Sequence, residues 1–172
     1  PAAQKVASIC NEENSIGVIA TKVTINSGAY QKAIKDLVPQ CNVAAKAAPA
    51  FVPLIEEGII DNEIMDLTNY YMDDFIGDGK IDTLVLGCTH YPLIRKNIER
   101  LFPKLRIVDP SREIIGRVKK VLAERDELAG RDNDRENIFY ASDLSENFTN
   151  MIEKILETER SNLILKFKNL EL

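Results

Sequence analysis

Two strand-like runs, IGVIA at residues 16–20 and the stretch 81–86, which has Asp82 and Thr83 near its start and is continuously apolar from Leu84, each lead into hydroxyl residues and then into a segment with helical spacing. A run that is apolar on both faces suits a strand buried on both sides, and such strands belong to parallel sheets covered by helices. Residues 105–108 and 138–141 repeat the pattern further on. Strands that alternate with helices predict right-handed βαβ crossovers and a three-layer α/β/α architecture with a mostly parallel sheet.

The intervening segments supply the helices. Residues 28–37 carry apolar positions at helical spacing, and Thr24 and Ser27 just ahead of them suit N-cap chemistry. Val43 opens another short apolar stretch, and an Ala-rich run to Ala50 leads into FVPLIEEG at 51–58, with Pro49 and Pro53 predicting a loop with a turn of helix. Ile64, Leu67, Tyr71 and Phe75 fall three or four apart and mark an amphipathic helix, which Gly77 and Gly79 end. GCTHYP at 87–92 turns the chain into a helix over 93–102, with Pro92 near its first turn. Beyond Pro110, Ile114, Ile115, Val118, Val121 and Leu122 form one helical face. The polar stretch 130–137 predicts a solvated loop, Phe148, Ile152 and Ile155 a last helix, and 163–172 either an edge strand or a helical end.

Composition narrows the function classes. The 172 residues carry 22 Lys plus Arg against 27 Asp plus Glu, for a net charge of −5. With no basic cluster longer than a pair, a nucleic-acid surface is not expected. No run of about 18 apolar residues predicts a membrane span, and no basic-then-apolar leader announces export, so a cytoplasmic protein is the default expectation. Cys10, Cys41 and Cys88 are odd in number and lack paired metal-ligand spacing, which suggests neither a disulfide framework nor a zinc site.

Cys88 carries the most chemistry. It lies where a strand hands over to a helix, and the carboxyl ends of parallel strands are where ligands bind. A nearby helix N-terminus stabilises a thiolate. His90, the only histidine, projects toward the same side in extended geometry, with the Thr89 hydroxyl between them. Gly87 permits a tight turn or a close approach. The plainer alternative is a small core cysteine. Thr21, Thr24 and Ser27 at the mouth of the next helix could cradle a carboxylate or phosphate, or could simply cap the helix. Glu56 could face the same sheet edge or could be a solvated glutamate.

These residues together resemble a known family. DTLVLGCTHYPL at 82–93 resembles the second active-site motif of the cofactor-independent aspartate/glutamate racemases, in their glutamate racemase branch. IGVIATKVTINSGAY at 16–30 and FVPLIEEG at 51–58 are similar to two further segments of that family, in the same order and spacing. The resemblance implies an isomerase that interconverts L- and D-glutamate with two thiols on opposite faces of the substrate Cα and supplies D-glutamate for bacterial peptidoglycan. No cofactor and no metal are implied. By that resemblance Cys88 is the base toward L-glutamate, His90 assists the thiol and binds substrate, and Glu56 orients the histidine. Thr89, Thr21 and Thr24 match substrate-binding positions. Such chemistry suits the weakly acidic α-proton of an amino acid, whose carbanion needs a preorganised site and placed bases.

The resemblance also has a boundary. The family's first half, with its own catalytic cysteine, has no counterpart within residues 1–172. Residues 1–110 are therefore expected to form the α/β domain that carries GCTHYPL, and 111–172 to belong to a second, similar domain. By itself such a chain is expected to be inactive as a racemase, to pair with that first half, and to expose the apolar face around Val118, so that it self-associates as a homo-oligomer. Two other functions compete: an acidic-amino-acid binding or regulatory module, and a thiol hydrolase using Cys88 and His90.

Overall fold

A computed structural model describes residues 1–77, 79–130, 138–157 and 163–169. Its centre is a four-stranded sheet in the order β2-β1-β3-β4, made of β1 (Ser15–Ala20), β2 (Asn42–Ala47), β3 (Thr83–Leu86) and β4 (Arg106–Val108). All three pairings are parallel, with Ile16 opposite both Val43 and Thr83, and Thr83 opposite Arg106. The expected α/β/α architecture is thus present. Every residue of β1 except Ser15, and every residue of β3, is buried, as a strand covered on both faces requires.

One face is covered by α1 (Ala2–Ile9) and α3 (Ala29–Lys35), which bury Val6 and Ile34 against Ile16, Val18 and Val85. The other face packs Ile19, Leu84 and Leu86 against α4 (Phe51–Glu56), α5 (Met65–Ile76) and α6 (Arg95–Leu101). The chain leaves β1 toward β2 on one side and returns to place β3 on the other. The carboxyl ends of β1 and β3 therefore flank a topological switch point, the place where ligands enter such sheets.

The opposite end of the sheet is held by Asp82. Its carboxylate accepts from the Ser15 amide (2.8 Å), Asn14 Nδ2 (3.1 Å), the Thr83 hydroxyl (2.6 Å) and the Arg106 guanidinium (2.8 Å). Burial pushes this carboxyl up, but the four donors outweigh it and hold it below its ordinary value. One charged side chain thus ties the starts of β1, β3 and β4 together.

Local structure departs from the sequence pattern in two places near the site. The helix after β1 starts earlier than its apolar spacing suggests, because α2 (Lys22–Ser27) already contains Thr24 and Ser27. Gly28, at φ 64°, then breaks the path before α3 begins, which an L side chain would resist. The segment 51–58 is more regular than Pro49 and Pro53 imply, since Pro49 precedes α4 and Pro53 falls in its first turn where no amide partner is lost.

Past β4 comes α7 (Pro110–Glu124), capped by the Asp109 carboxylate, which accepts from the Ser111 amide. Then β5 (Ile138–Ala141) and β6 (Ile164–Phe167) pair in parallel as a separate two-stranded sheet, with α8 (Glu146–Leu156) between them. The tail residues 164–167 are therefore strand, not helix. The polar loop predicted at 130–137 lies outside the described residues except for Gly130.

Candidate functional site

Three connections converge at the carboxyl edge of the main sheet. Thr21 follows β1, α4 follows β2, and the turn bearing Cys88, Thr89 and His90 follows β3. Close contact between β1 and β3 depends on Gly87, whose amide donates to the Ile19 carbonyl at 2.7 Å. A Cβ there would stand 2.9 Å from that same oxygen, 3.0 Å from Ala20 Cβ and 3.2 Å from the Tyr30 ring. Only glycine lets the turn lie this close to β1.

Within the turn, the Tyr91 amide donates to the Cys88 carbonyl at 3.2 Å, and a 3₁₀ turn over Tyr91–Ile94 leads into α6. Cys88 and His90 are half-buried, and Thr89 is exposed. Cys88 Sγ lies 3.8 Å from His90 Nδ1, and the Thr89 hydroxyl 3.5 Å from the same nitrogen. On the far side of the ring, His90 Nε2 meets Glu56 Oε1 at 3.0 Å. Glu56 is the last residue of α4, so a contact across 34 positions of sequence closes a line from carboxylate to imidazole to thiol.

The tautomer follows from this geometry. A carboxylate only accepts, so the bond to Glu56 places a hydrogen on Nε2 and leaves the Nδ1 lone pair facing the thiol. The ring can then draw a proton from Cys88, and the imidazolium so formed is paired with Glu56. Such a line can generate a thiolate for proton abstraction or nucleophilic attack.

Two tyrosines flank the thiol. Tyr30 is half-buried, and burial, followed by the charge of a Cys88 thiolate, pushes its phenol up. Tyr91 is fully buried and pushed up further, by burial first and then by Cys88 and Tyr71. Neither stood out in the sequence, because Tyr30 fits an ordinary helix face and Tyr91 precedes a proline in a turn. Its place three residues after Cys88 was the available signal.

The remaining predicted residues divide. Thr21 and Thr24 half-face the same edge, but Thr21 does not cap α2 through its side chain; the two hydroxyls bond each other at 3.1 Å instead. Among the described residues no hydrogen bond joins them to the Cys88 line. Cys10 and Cys41 are away from it: Cys10 Sγ donates to the hydroxyl of Thr83 (3.5 Å), at the start of β3, and Cys41 is buried just before β2. Among the described residues no three side chains are grouped to hold a metal ion, and no helix is long and apolar enough to cross a membrane.

The family model described as Asp/Glu/Hydantoin racemase matches residues 1–117. A glutamate racemase from Sulfurihydrogenibium sp. is 43% identical over 132 residues, 76% of this chain and 50% of that protein. A glutamate racemase from Neisseria meningitidis is 39% identical over 156 residues, 90% of this chain and 57% of its own. The chain thus spans about half the length of these relatives. Among solved structures, glutamate racemase from Francisella tularensis in complex with D-glutamate superimposes with a TM-score of 0.79 at 29% identity, covering 99% of this chain and 62% of that one. A glutamate racemase isoform from Bacillus anthracis gives 0.82 at 25% identity, with 99% and 62% covered.

Proposed function

This chain belongs to the Asp/Glu/Hydantoin racemase family, and we propose that it provides one half of a glutamate racemase site, in which Cys88 exchanges the α-proton of L-glutamate. The observation that carries this reading is the Glu56–His90–Cys88 line, at 3.0 and 3.8 Å, on the carboxyl edge beside the β1/β3 switch point. The Cys88 thiolate takes the Cα proton and becomes a thiol, leaving a carbanion whose charge spreads onto the carboxylate. A second thiol on the opposite face returns a proton and inverts the centre. Thr89, Thr21 and Thr24 bind the substrate carboxylates, and His90 both binds substrate and assists the thiol. Neither a cofactor nor a metal enters these steps. The D-glutamate so made supplies peptidoglycan in the cytoplasm.

Cys10 and Cys41 do not reach this site, so the second thiol comes from another polypeptide segment, which the reading places in the family's first half. Residues 111–172 then complete a second α/β domain with that half. The two-stranded sheet of β5 and β6 supports this. A parallel pair is marginal alone, and it exposes Ile138, Tyr140 and Phe167. On α7, Ile114, Ile115, Val118 and Val121 are also exposed, and Ile114, Val118 and Val121 border a groove with Pro1, Arg117 and Leu122. Where the first half is not bound, a second copy covers this stripe. Light scattering is expected to give a mass above the monomer, and Val118→Glu to return it to the monomer; a monomeric mass for the unaltered chain would remove the self-association.

The central test is loss of the Cα proton signal of L-glutamate in D₂O, followed by NMR with this chain. Exchange with little inversion is expected, since one face carries its thiol. An acidic-amino-acid binding module is the rival reading, favoured by the single thiol at the site. Glutamate binding by calorimetry without any exchange would decide for that module, and release of acid from activated esters would decide for a thiol hydrolase.

A further inference from the structure

The carbonyl of Ala48 is a junction between the segments that carry the candidate site. It accepts from the Tyr91 hydroxyl at 2.8 Å and from the Phe51 amide at 3.3 Å, while the Ala48 amide donates to the Ala20 carbonyl at 3.0 Å. Through one residue the end of β1, the start of α4 and the Cys88–Tyr91 turn are joined. Thr21 follows the first, Glu56 ends the second, and Cys88 and His90 lie on the third. Tyr91 is fully buried, and its ring meets that of Phe51 edge-on, with centroids 5.4 Å apart at 78°. Burial keeps its phenol protonated, so toward Ala48 it acts as a donor.

Glu56, by contrast, is poorly held by its own surroundings. Its side chain is 53% exposed and stands on the last residue of a short helix, so its 3.0 Å contact with His90 depends on where α4 sits relative to the turn. We propose that Tyr91 is a positioning residue for the Glu56–His90–Cys88 line, its hydroxyl bond to Ala48 fixing α4 against the turn. The proposal rests on the assignment of Cys88 as a base assisted by His90. Misplacing such a line by about 1 Å costs on the order of 100-fold in rate, which is why a buried hydroxyl away from the substrate matters.

Tyr91→Phe isolates the effect. The ring stays against Phe51, and the Ala48 carbonyl keeps the Phe51 amide as a donor. The expected result is a fall of about 10- to 100-fold in kcat for Cα exchange, with KM changed by less than about twofold. In a Glu56→Gln background the same substitution is expected to add almost nothing, since the contact it serves is already lost. Multiplicative losses in the double variant would make Tyr91 a core residue only and overturn the proposal.

A second readout needs no turnover. The chain has a single histidine, so its imidazole Cε1–H gives one cross-peak in a ¹H–¹³C spectrum. Glu56→Gln moves that peak by removing the carboxylate, and Tyr91→Phe is expected to move it in the same direction. A peak that Glu56→Gln shifts and Tyr91→Phe leaves in place overturns the proposal. If the unaltered chain shows neither exchange nor glutamate binding, the pocket needs the first half to assemble, and the spectrum alone decides the role of Tyr91.

Discussion

Cys88→Ser is expected to lower Cα-proton exchange from L-glutamate by roughly 10²- to 10⁴-fold, the range a placed acid–base group contributes, with the fold intact. Serine nearly matches cysteine in shape, and the half-buried side chain at 88 sits against His90 Nδ1 without filling the sheet core. What changes is acidity. A thiol titrates near 8.5 and can be a thiolate beside an imidazole, whereas an alcohol holds its proton far more tightly. The substitution therefore separates two arrangements that look alike in the structure. If His90 itself took the Cα proton, with Cys88 a neighbour only, the serine variant would keep most of the exchange. Calorimetry with L-glutamate on both proteins checks that binding survives, and exchange in D₂O by NMR reads the chemistry. Retention of more than about one tenth of the rate would remove Cys88 as the base.

How much of this is legible in the residues alone depends on how local the signal is. The strands within 16–20 and 81–86 stand out because a strand buried on both faces is largely apolar, as IGVIA and residues 84–86 are, and their carboxyl ends were enough to locate Cys88. Thr89 and His90 follow directly in the chain. Glu56 is different: nothing in spacing links position 56 to position 90, and only the similarity of FVPLIEEG to a family segment put the two together. Sequence periodicity could not show α2, because Thr24 and Ser27 read as caps of a helix from 28 onward, whereas they lie in a separate short helix that ends at Gly28, where φ is positive. Nor could it show α1, whose alanine-rich segment has few large apolar residues to mark a face. Ala48 was the least visible of all, since its part is played by backbone atoms, which any residue supplies.

Phe51→Ala is expected to cost about 3–5 kcal/mol, the usual loss on emptying a fully buried aromatic position. The ring is 0% exposed and stands between Tyr71 and Tyr91, at centroid distances of 5.2 and 5.4 Å. Its removal opens a cavity in the cluster that also holds Ile19, Ile55 and Leu86, and it forfeits two tilted ring contacts, each worth about 0.5–1.5 kcal/mol. Against a total stability of about 5–15 kcal/mol for a domain, that is a large fraction. For a chain of this length the thermal midpoint is expected to fall by roughly 6–20 °C. With no tryptophan, near-ultraviolet circular dichroism follows the five tyrosines, of which Tyr30, Tyr70, Tyr71 and Tyr91 lie with the main sheet and Tyr140 in β5, so the transition of the main sheet dominates the signal. A midpoint lowered by less than about 2 °C would mean the core closes around the vacancy. Because Phe51 begins the helix that ends in Glu56, the fold and the candidate site share this ring: at temperatures where the variant is still folded, the His90 Cε1–H cross-peak is expected to shift as it does in Glu56→Gln. Core packing and site geometry then fail together, as they must if α4 is held to the Cys88 turn by the Phe51–Tyr91–Ala48 contacts and not by the exposed carboxylate at its end.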